Sequence, residues 1–370
     1  MRKLLLIALC TLFSSCHVGK YLVYNFANIN DYKKFHHSDL DKAPVPFYFN
    51  EGNNELKLNM AKYGIYSEND LANFNAGHKT VAFLIIKNDS IKYEWYGDNY
   101  EESSTFTSFS MAKSYVSALI GIAIEEGHIK SVQDPITEYI RDFKNPWAEK
   151  ITIENVLNMR TGIDYKENYF SPFGNIAIGY YGRNLDRHLR KIKIKGKPDQ
   201  RFEYVSIATQ ILGVIIEEAT GQSLTQYCEE KIWKKLGSEY GASWSLDRKG
   251  GREKAFCCLN AKAIDYAKIG RLYLNGGQWG DEQIVPEEWV EASIKKSAES
   301  KDMFYAYQWW HYPTYEGGAI EKDVDFYMQG HLGQYVYMSA KKNIILVRLG
   351  KSRSGVYWDG FLSELVNRIE

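Results

Sequence analysis

The chain has 370 residues, 45% of them hydrophobic and 25% charged, the composition of a globular protein with one large domain or two smaller ones. Lys plus Arg and Asp plus Glu both number 46, so no net field favours nucleic acid or an anionic membrane. Beyond Cys10 and Cys16 only Cys228, Cys257 and Cys258 remain, an odd number with two adjacent, which agrees with a non-disulfide fold and offers no zinc spacing. His36-His37 has no matching Cys or His cluster and reads as loop rather than ligand.

Arg2-Lys3 followed by apolar Leu4 to Phe13 fits a secretory signal, being shorter than the roughly 20 residues of a membrane span. It ends in Leu12-Phe13-Ser14-Ser15-Cys16, and two small residues before a cysteine resemble the lipobox of bacterial lipoproteins. That resemblance implies lipidation of Cys16 after removal of residues 1–15, and a lipid-anchored protein of the cell envelope facing the periplasm or the exterior. Cys10, with bulky Leu9 before it, is the poorer candidate; the alternative is a plain signal peptide cleaved near Ser15 and a secreted or periplasmic product. Residues 16–75 are polar and Asn-rich and read as a tether and arm lying on the main domain, residues 76–370.

The pattern then sharpens. Thr80 to Lys87 predicts a buried strand, Asn88-Asp89-Ser90 a turn, and Ile91 to Tyr96 an alternating strand. From Met111 to Ile124 the chain is apolar on nearly every face and ends at Gly127, which predicts a core helix. Residues of about 130–255 read as helices and loops: one helix opening at Asp134-Pro135-Ile136, one over Thr152 to Met159 stopped by Thr161-Gly162, a tyrosine-rich loop from Ile163 to about Asn184, and a helix from Ser206 to Thr220 ended by Gly221. A further helix near 260–275 precedes a strand, turn and strand over Phe326 to Met338, a buried strand over Ile344 to Leu349, and an amphipathic helix from Gly360 to Ile369. Strands, helices, then strands and a helix predict an α+β fold: a mainly antiparallel sheet flanked by terminal helices, with an inserted helical region.

Within this frame Ser110 and Lys113 stand out. Three positions apart at the start of the core helix, they project from one face. Burial disfavours a charged lysine and lowers its pKa, and a serine beside such a base is an activated nucleophile. A small polar residue near a helix start and a snorkelling lysine would look the same, and a second S-x-x-K, Ser293 to Lys296, lies in a polar run without an apolar helix behind it. Partners therefore matter. Tyr204, in Arg201-Phe202-Glu203-Tyr204-Val205-Ser206, could share the proton between Ser110, Lys113 and a leaving group. Gly330-His331-Leu332-Gly333-Gln334 holds two glycines that would let a substrate approach the backbone, with N–H groups for an oxyanion.

S-x-x-K, Y-x-S about 90 residues on and H-x-G on a late strand follow the order of the serine β-lactamase and penicillin-binding-protein superfamily, and the chain most resembles its class C-like branch, with the esterases and 6-aminohexanoate-dimer hydrolases. The stretches Glu125 to Ile136, Thr152 to Gly162 and Leu212 to Gly221 extend the likeness. The resemblance implies the β-lactamase/transpeptidase-like fold, Ser110 as acylated nucleophile, Lys113 as its base, Tyr204 as proton relay, and the backbone N–H groups of Ser110 and Gln334 as oxyanion hole. It implies His331, Gly333 and Ser206 at the substrate, and no metal or organic cofactor. Tyr169, in the tyrosine-rich loop, is the candidate contact to a substrate amide.

The departures carry information. Class C β-lactamases have Y-x-N and K-T-G, where this chain has Ser206 and His331-Leu332-Gly333. Leu332 cannot donate a hydrogen bond and His331 is mostly neutral at pH 7, so a substrate carboxylate loses contacts worth about 1.5–3 kcal/mol each. The expected activity is therefore an exported serine hydrolase of esters or small linear amides working through an acyl-enzyme. The rivals are a penicillin-binding D,D-peptidase or weak β-lactamase, and a non-catalytic binder of peptidoglycan fragments, which would have no need of the intact triad.

Overall fold

The computed structural model describes residues 17–369 apart from 25, 53–55, 98, 141–146, 295–303, 313–314, 317–318 and 321–324. In chain order, the elements that position the site are α1 (His17–Tyr24), β1 (Thr80–Lys87), β2 (Ser90–Tyr96), α2 (Ala112–Glu125), α3 (Asn175–Tyr181), α4 (Ser206–Thr220), α5 (Ala263–Leu274), β3 (Asp325–Gly330), β4 (Gln334–Ser339), β5 (Ile344–Gly350) and α6 (Trp358–Arg368). Cys16 and the leader lie outside the described residues.

One sheet runs in the order Tyr305–Ala306, Trp309–Tyr312, β3, β4, β5, β1, β2, Asn50–Glu51. Its pairings are antiparallel except at the β2 edge, where Asn50–Glu51 adds in parallel. The β1–β2 hairpin turns on Asn88 and Asp89, both at positive φ (51° and 57°), the geometry that two-residue hairpins favour and that Asn and Asp tolerate. Both faces of the sheet are covered, which is why β1 is an almost unbroken apolar run. Val81, Leu84 and Ile86 face the core shared with α2 and α5, while Phe83 and Ile85 face a second core closed by α6 and the helix Glu68–Gly77.

α2 is the central element of the first core. Every residue from Ala112 to Ala123 is buried, and α4 packs alongside. Fully burying a side chain such as Leu119 or Ile120 contributes about 1.5–3 kcal/mol, so this helix is held chiefly by tertiary packing.

Several expectations change. Asp134-Pro135-Ile136 opens only a 3₁₀ turn, Ile136–Glu138, because its backbone bonds instead to Ile151 and Ile153. The tyrosine-rich segment contains α3, whose Tyr180 and Tyr181 are buried against residues from the N-terminal segment. The region expected as helices and loops also supplies Ala242–Ser245 to a small sheet with His37–Leu40, Leu259–Ala261 and Phe106–Thr107, so His37 lies in a strand. Cys257 and Cys258 are joined by a disulfide, against the reading of a non-disulfide fold; a bond between neighbours closes no long loop and leaves no spacing signature. Within the expected tether and arm, Asp31 is buried against the main domain, accepting from Tyr180 Oη and pairing with Lys34.

Candidate active site

Ser110 sits in a 3₁₀ turn, Phe109–Met111, that runs directly into α2. Phe109 holds a left-handed φ of 47°, a conformation that costs a non-glycine residue of order 1–3 kcal/mol. Its ring is wedged between Tyr180 and His331, at centroid distances of 6.4 and 5.6 Å, so packing maintains the strain beside Ser110.

Lys113, 2% exposed, points its Nζ back at this turn. It lies 2.9 Å from Ser110 Oγ, donates to the Phe256 carbonyl at 2.6 Å and lies 3.4 Å from Ser206 Oγ. Burial pushes its pKa down to about 7, and the Glu167 carboxylate opposes that fall. Near neutrality about half of such lysines are uncharged, so a base is available without a metal or a histidine.

Tyr204 approaches from the segment before α4. Its hydroxyl bonds to Ser110, its ring lies 5.3 Å from Lys113 Nζ, and Trp310 stacks on its outer side at 5.6 Å. Burial raises its pKa well above that of a free phenol, partly offset by the bond to Ser110, so Tyr204 is a neutral donor at pH 7.

Glu167 belongs to this constellation and sequence reading passed it over. Its carboxylate accepts from the Ser206 N–H and, at 3.2 Å, from Ser206 Oγ, and the Tyr169 hydroxyl donates to it at 3.0 Å. It thereby caps the first turn of α4, where a negative charge meets unsatisfied N–H groups. It also links Lys113, Ser206 and Tyr169 in one chain of polar contacts. Lying 39 residues from Ser206, with only tyrosines as distinctive neighbours, it gives no spacing signal.

The late-strand turn closes the other side. Tyr169 and His331 stack face to face at 4.8 Å, and both line the same cavity as Ser110, Ser206 and Cys257. Burial and the nearby Arg353 guanidinium lower His331 to a pKa of about 4, so it is neutral at pH 7. The protein's own packing requires both glycines of this turn. A Cβ at Gly330 would lie 2.3 Å from the Ser108 carbonyl oxygen, and one at Gly333 would lie 2.5 Å from Arg348 Nη1. Arg348, fully buried, donates to the carbonyls of Leu332, Gly333, His78 and Ser352 and stacks on Trp358. It pins the turn from behind. The Gln334 side chain clamps the Gly350 backbone through both its amide atoms, leaving Gln334's main chain at the head of β4 next to the Ser110 turn.

The remaining wall is aromatic and comes from two distant segments. Tyr21 and Phe26 join Phe170, Tyr180 and Tyr181 around the cavity, and Tyr21 Oη donates to the Tyr169 carbonyl at 3.1 Å. The second S-x-x-K stays apart: Ser293 is buried in the helix Glu287–Ile294, its Oγ donating to the Trp289 carbonyl, and Lys296 lies outside the described residues.

A serine turn feeding a buried helix, a buried lysine within it and a tyrosine before a second helix belong, with this sheet, to a single class of fold. The chain is a member of the beta-lactamase family, whose profile matches residues 68–356. It is 24% identical over 310 residues to the 6-aminohexanoate-dimer hydrolase of Paenarthrobacter ureafaciens, covering 78% of this chain and 77% of that one. A Bacillus anthracis protein provisionally assigned as a 6-aminohexanoate-dimer hydrolase superposes with a TM-score of 0.75 at 23% identity, over 94% of this chain and 92% of its own. A penicillin-binding protein of Bacillus halodurans gives 0.63 at 17% identity, over 78% and 97%. At such identities the two structures speak for the fold: the β-lactamase and penicillin-binding-protein α+β architecture.

Proposed function

We propose that the protein is an exported serine hydrolase that cleaves an ester or a linear amide through an acyl-enzyme on Ser110. The observation that carries this is Lys113: a buried amine with its pKa near 7, 2.9 Å from Ser110 Oγ and held by the Phe256 carbonyl. Neutral Lys113 takes the Ser110 proton as Oγ bonds to the substrate carbonyl carbon. The oxyanion forms against the N–H groups of Ser110 and Gln334. Collapse breaks the bond to the leaving group, which receives a proton from Tyr204 Oη, and Lys113 returns its proton to Tyr204. Water then repeats the sequence on the acyl-enzyme and releases the acid.

Tyr169, stacked on His331 in the cavity wall, supplies a contact to a substrate amide, and the apolar lining suits an aliphatic or aromatic acyl part. Leu332 denies a carboxylate one donor, but the exposed Arg353 lies close enough to lower His331 and to stabilise charge on Tyr204. A linear amide ending in a carboxylate therefore has a cation to meet near His331. The kinship with a 6-aminohexanoate-dimer hydrolase favours such substrates over β-lactams and D,D-peptides. Export and anchoring through Cys16 belong to the same proposal and rest on the leader.

A fluorophosphonate probe, followed by a panel of p-nitrophenyl esters, nitrocefin and linear aminohexanoate amides, tests the reading. Labelling of Ser110 with turnover of esters or linear amides is the expected result. Absence of labelling in folded protein would leave a non-catalytic binder, and preferential nitrocefin turnover would favour the β-lactamase alternative.

A further inference from the structure

α1 lies on the lip of the Ser110 cavity, through Tyr21 Oη on the Tyr169 carbonyl and the Tyr21 ring edge-on to Tyr181 at 5.7 Å. Its outer side and the adjoining loop are apolar yet exposed: Leu22 65%, Val23 71%, Phe26 49%, Phe170 81% and Phe173 75%. These are five of the ten exposed large apolar side chains among the described residues, so they form a concentration and not scatter. Phe26 and Phe170 touch at 6.2 Å and line the cavity itself, which places this rim at its mouth.

A second observation lies at the His17 end of α1. Residues 183–197 contain seven Lys or Arg and one acidic residue, Asp186, in a chain whose total charge is zero. Arg183, Arg187, Lys191 and Lys193 are exposed and line one cleft together with His17, the first residue of α1. The zero net charge of the whole chain, which by itself argues against an anionic membrane, conceals this local excess.

An apolar rim flanked by a basic cleft is the surface that an anionic bilayer takes up: apolar side chains enter the interface while cations meet phosphate headgroups. We infer that this face docks on an anionic lipid bilayer, with Leu22, Val23 and Phe173 entering the interface, the basic cleft on the headgroups, and the mouth of the Ser110 cavity turned toward the lipid. The inference stands on exposed residues and does not require acylation of Cys16. Where Cys16 is acylated, anchor and face act on one membrane, because Leu22 is only six residues from Cys16 in the chain. A substrate with a membrane-partitioned acyl chain then reaches Ser110 from the bilayer side.

The test uses the chain from His17, which contains every described residue, with vesicles of phosphatidylethanolamine and phosphatidylglycerol or of phosphatidylcholine alone. Two variants are compared, Leu22→Ser/Val23→Ser/Phe173→Ser and Arg187→Glu/Lys191→Glu/Lys193→Glu, each checked for a parental thermal transition. The parent is expected to cosediment with the phosphatidylglycerol vesicles and more weakly with phosphatidylcholine. The basic-cleft variant should lose about tenfold or more in affinity at low salt, a difference that narrows at high salt. The apolar variant should lose binding at both. No cosedimentation of the parent, or parental binding by both variants, overturns the inference. So does equally tight binding to a soluble polyanion such as dextran sulfate with no contribution from the apolar residues. p-Nitrophenyl ester turnover without vesicles should match the parent in both variants, since none of these side chains lines the cavity; it reads the hydrolase proposal separately from docking.

Discussion

Ser110 lies in the turn that leads into a helix whose first twelve residues are all buried, and Lys113, the second of them, reaches the Phe256 carbonyl. The wall opposite is assembled from α1, the Tyr169 loop and α3, whose cohesion comes from ring contacts and single hydrogen bonds such as Tyr21 Oη to the Tyr169 carbonyl. The first region fixes geometry and dielectric, and needs both: without burial Lys113 would keep its proton at pH 7. The second shapes and covers the cavity with elements drawn from distant parts of the chain. On the proposed function, the first region carries the chemistry and the second the selectivity.

The largest effect that would break this division is at the nucleophile. Ser110→Ala should abolish fluorophosphonate labelling and lower ester turnover by about 10⁴-fold or more, with an unchanged thermal transition. A parental rate would refute the assignment.

The base should show itself in the pH profile. With Lys113 near pKa 7 and active only when deprotonated, kcat/KM should fall about tenfold per pH unit below 7 and level off above it. Glu167→Gln removes the carboxylate that holds the Lys113 proton on, so the acid limb should move to lower pH. An unmoved limb would show that Glu167 acts only as the cap of α4.

Tyr204→Phe keeps the ring against Trp310 and removes the donor. Amide turnover should suffer at least about tenfold more than p-nitrophenyl ester turnover, ~1.4 kcal/mol of barrier, because p-nitrophenolate leaves unprotonated and an alkyl amine cannot. Equal losses on both substrates would reduce Tyr204 to a positioning role.

Two smaller effects belong to the cavity wall. Arg353→Met should raise KM for a carboxylate-bearing amide by about tenfold while leaving a neutral ester unchanged, the scale of one charge-assisted contact. Tyr21→Phe, which deletes one hydrogen bond to the Tyr169 carbonyl, should raise KM a few-fold with kcat nearly parental. A collapse of kcat in Tyr21→Phe would mean that the wall sets the chemistry after all, and the contrast between the regions would fail.

Much of this was legible in the chain. Strand β1, the Asn88-Asp89 turn, α2, α4 with Gly221 and the paired strands β3 and β4 follow local periodicity and turn chemistry, and the family's motif order assembled Ser110, Lys113 and Tyr204. The tyrosine-rich segment was misjudged as all loop because α3 has only seven residues and its apolar face is tyrosine. Arg348 read as an ordinary strand residue, since nothing local marks a guanidinium that turns inward to hold four carbonyls.

The part written in short spacings was open to sequence reading: an all-apolar helix is buried, and a serine and a lysine three apart at its start project from one face, which made Lys113 a candidate for a base of lowered pKa. Only the tertiary structure decided what that pair meets. The Phe256 carbonyl, 143 residues from Lys113, the Glu167 carboxylate, 39 residues from Ser206, and Tyr21, 148 residues from Tyr169, are brought to the cavity by packing. The physical reason is range. Backbone periodicity and pKa logic act within a few residues, whereas a cavity wall is chosen by whichever distant surfaces bury the most apolar area together, and no single stretch of chain encodes that choice.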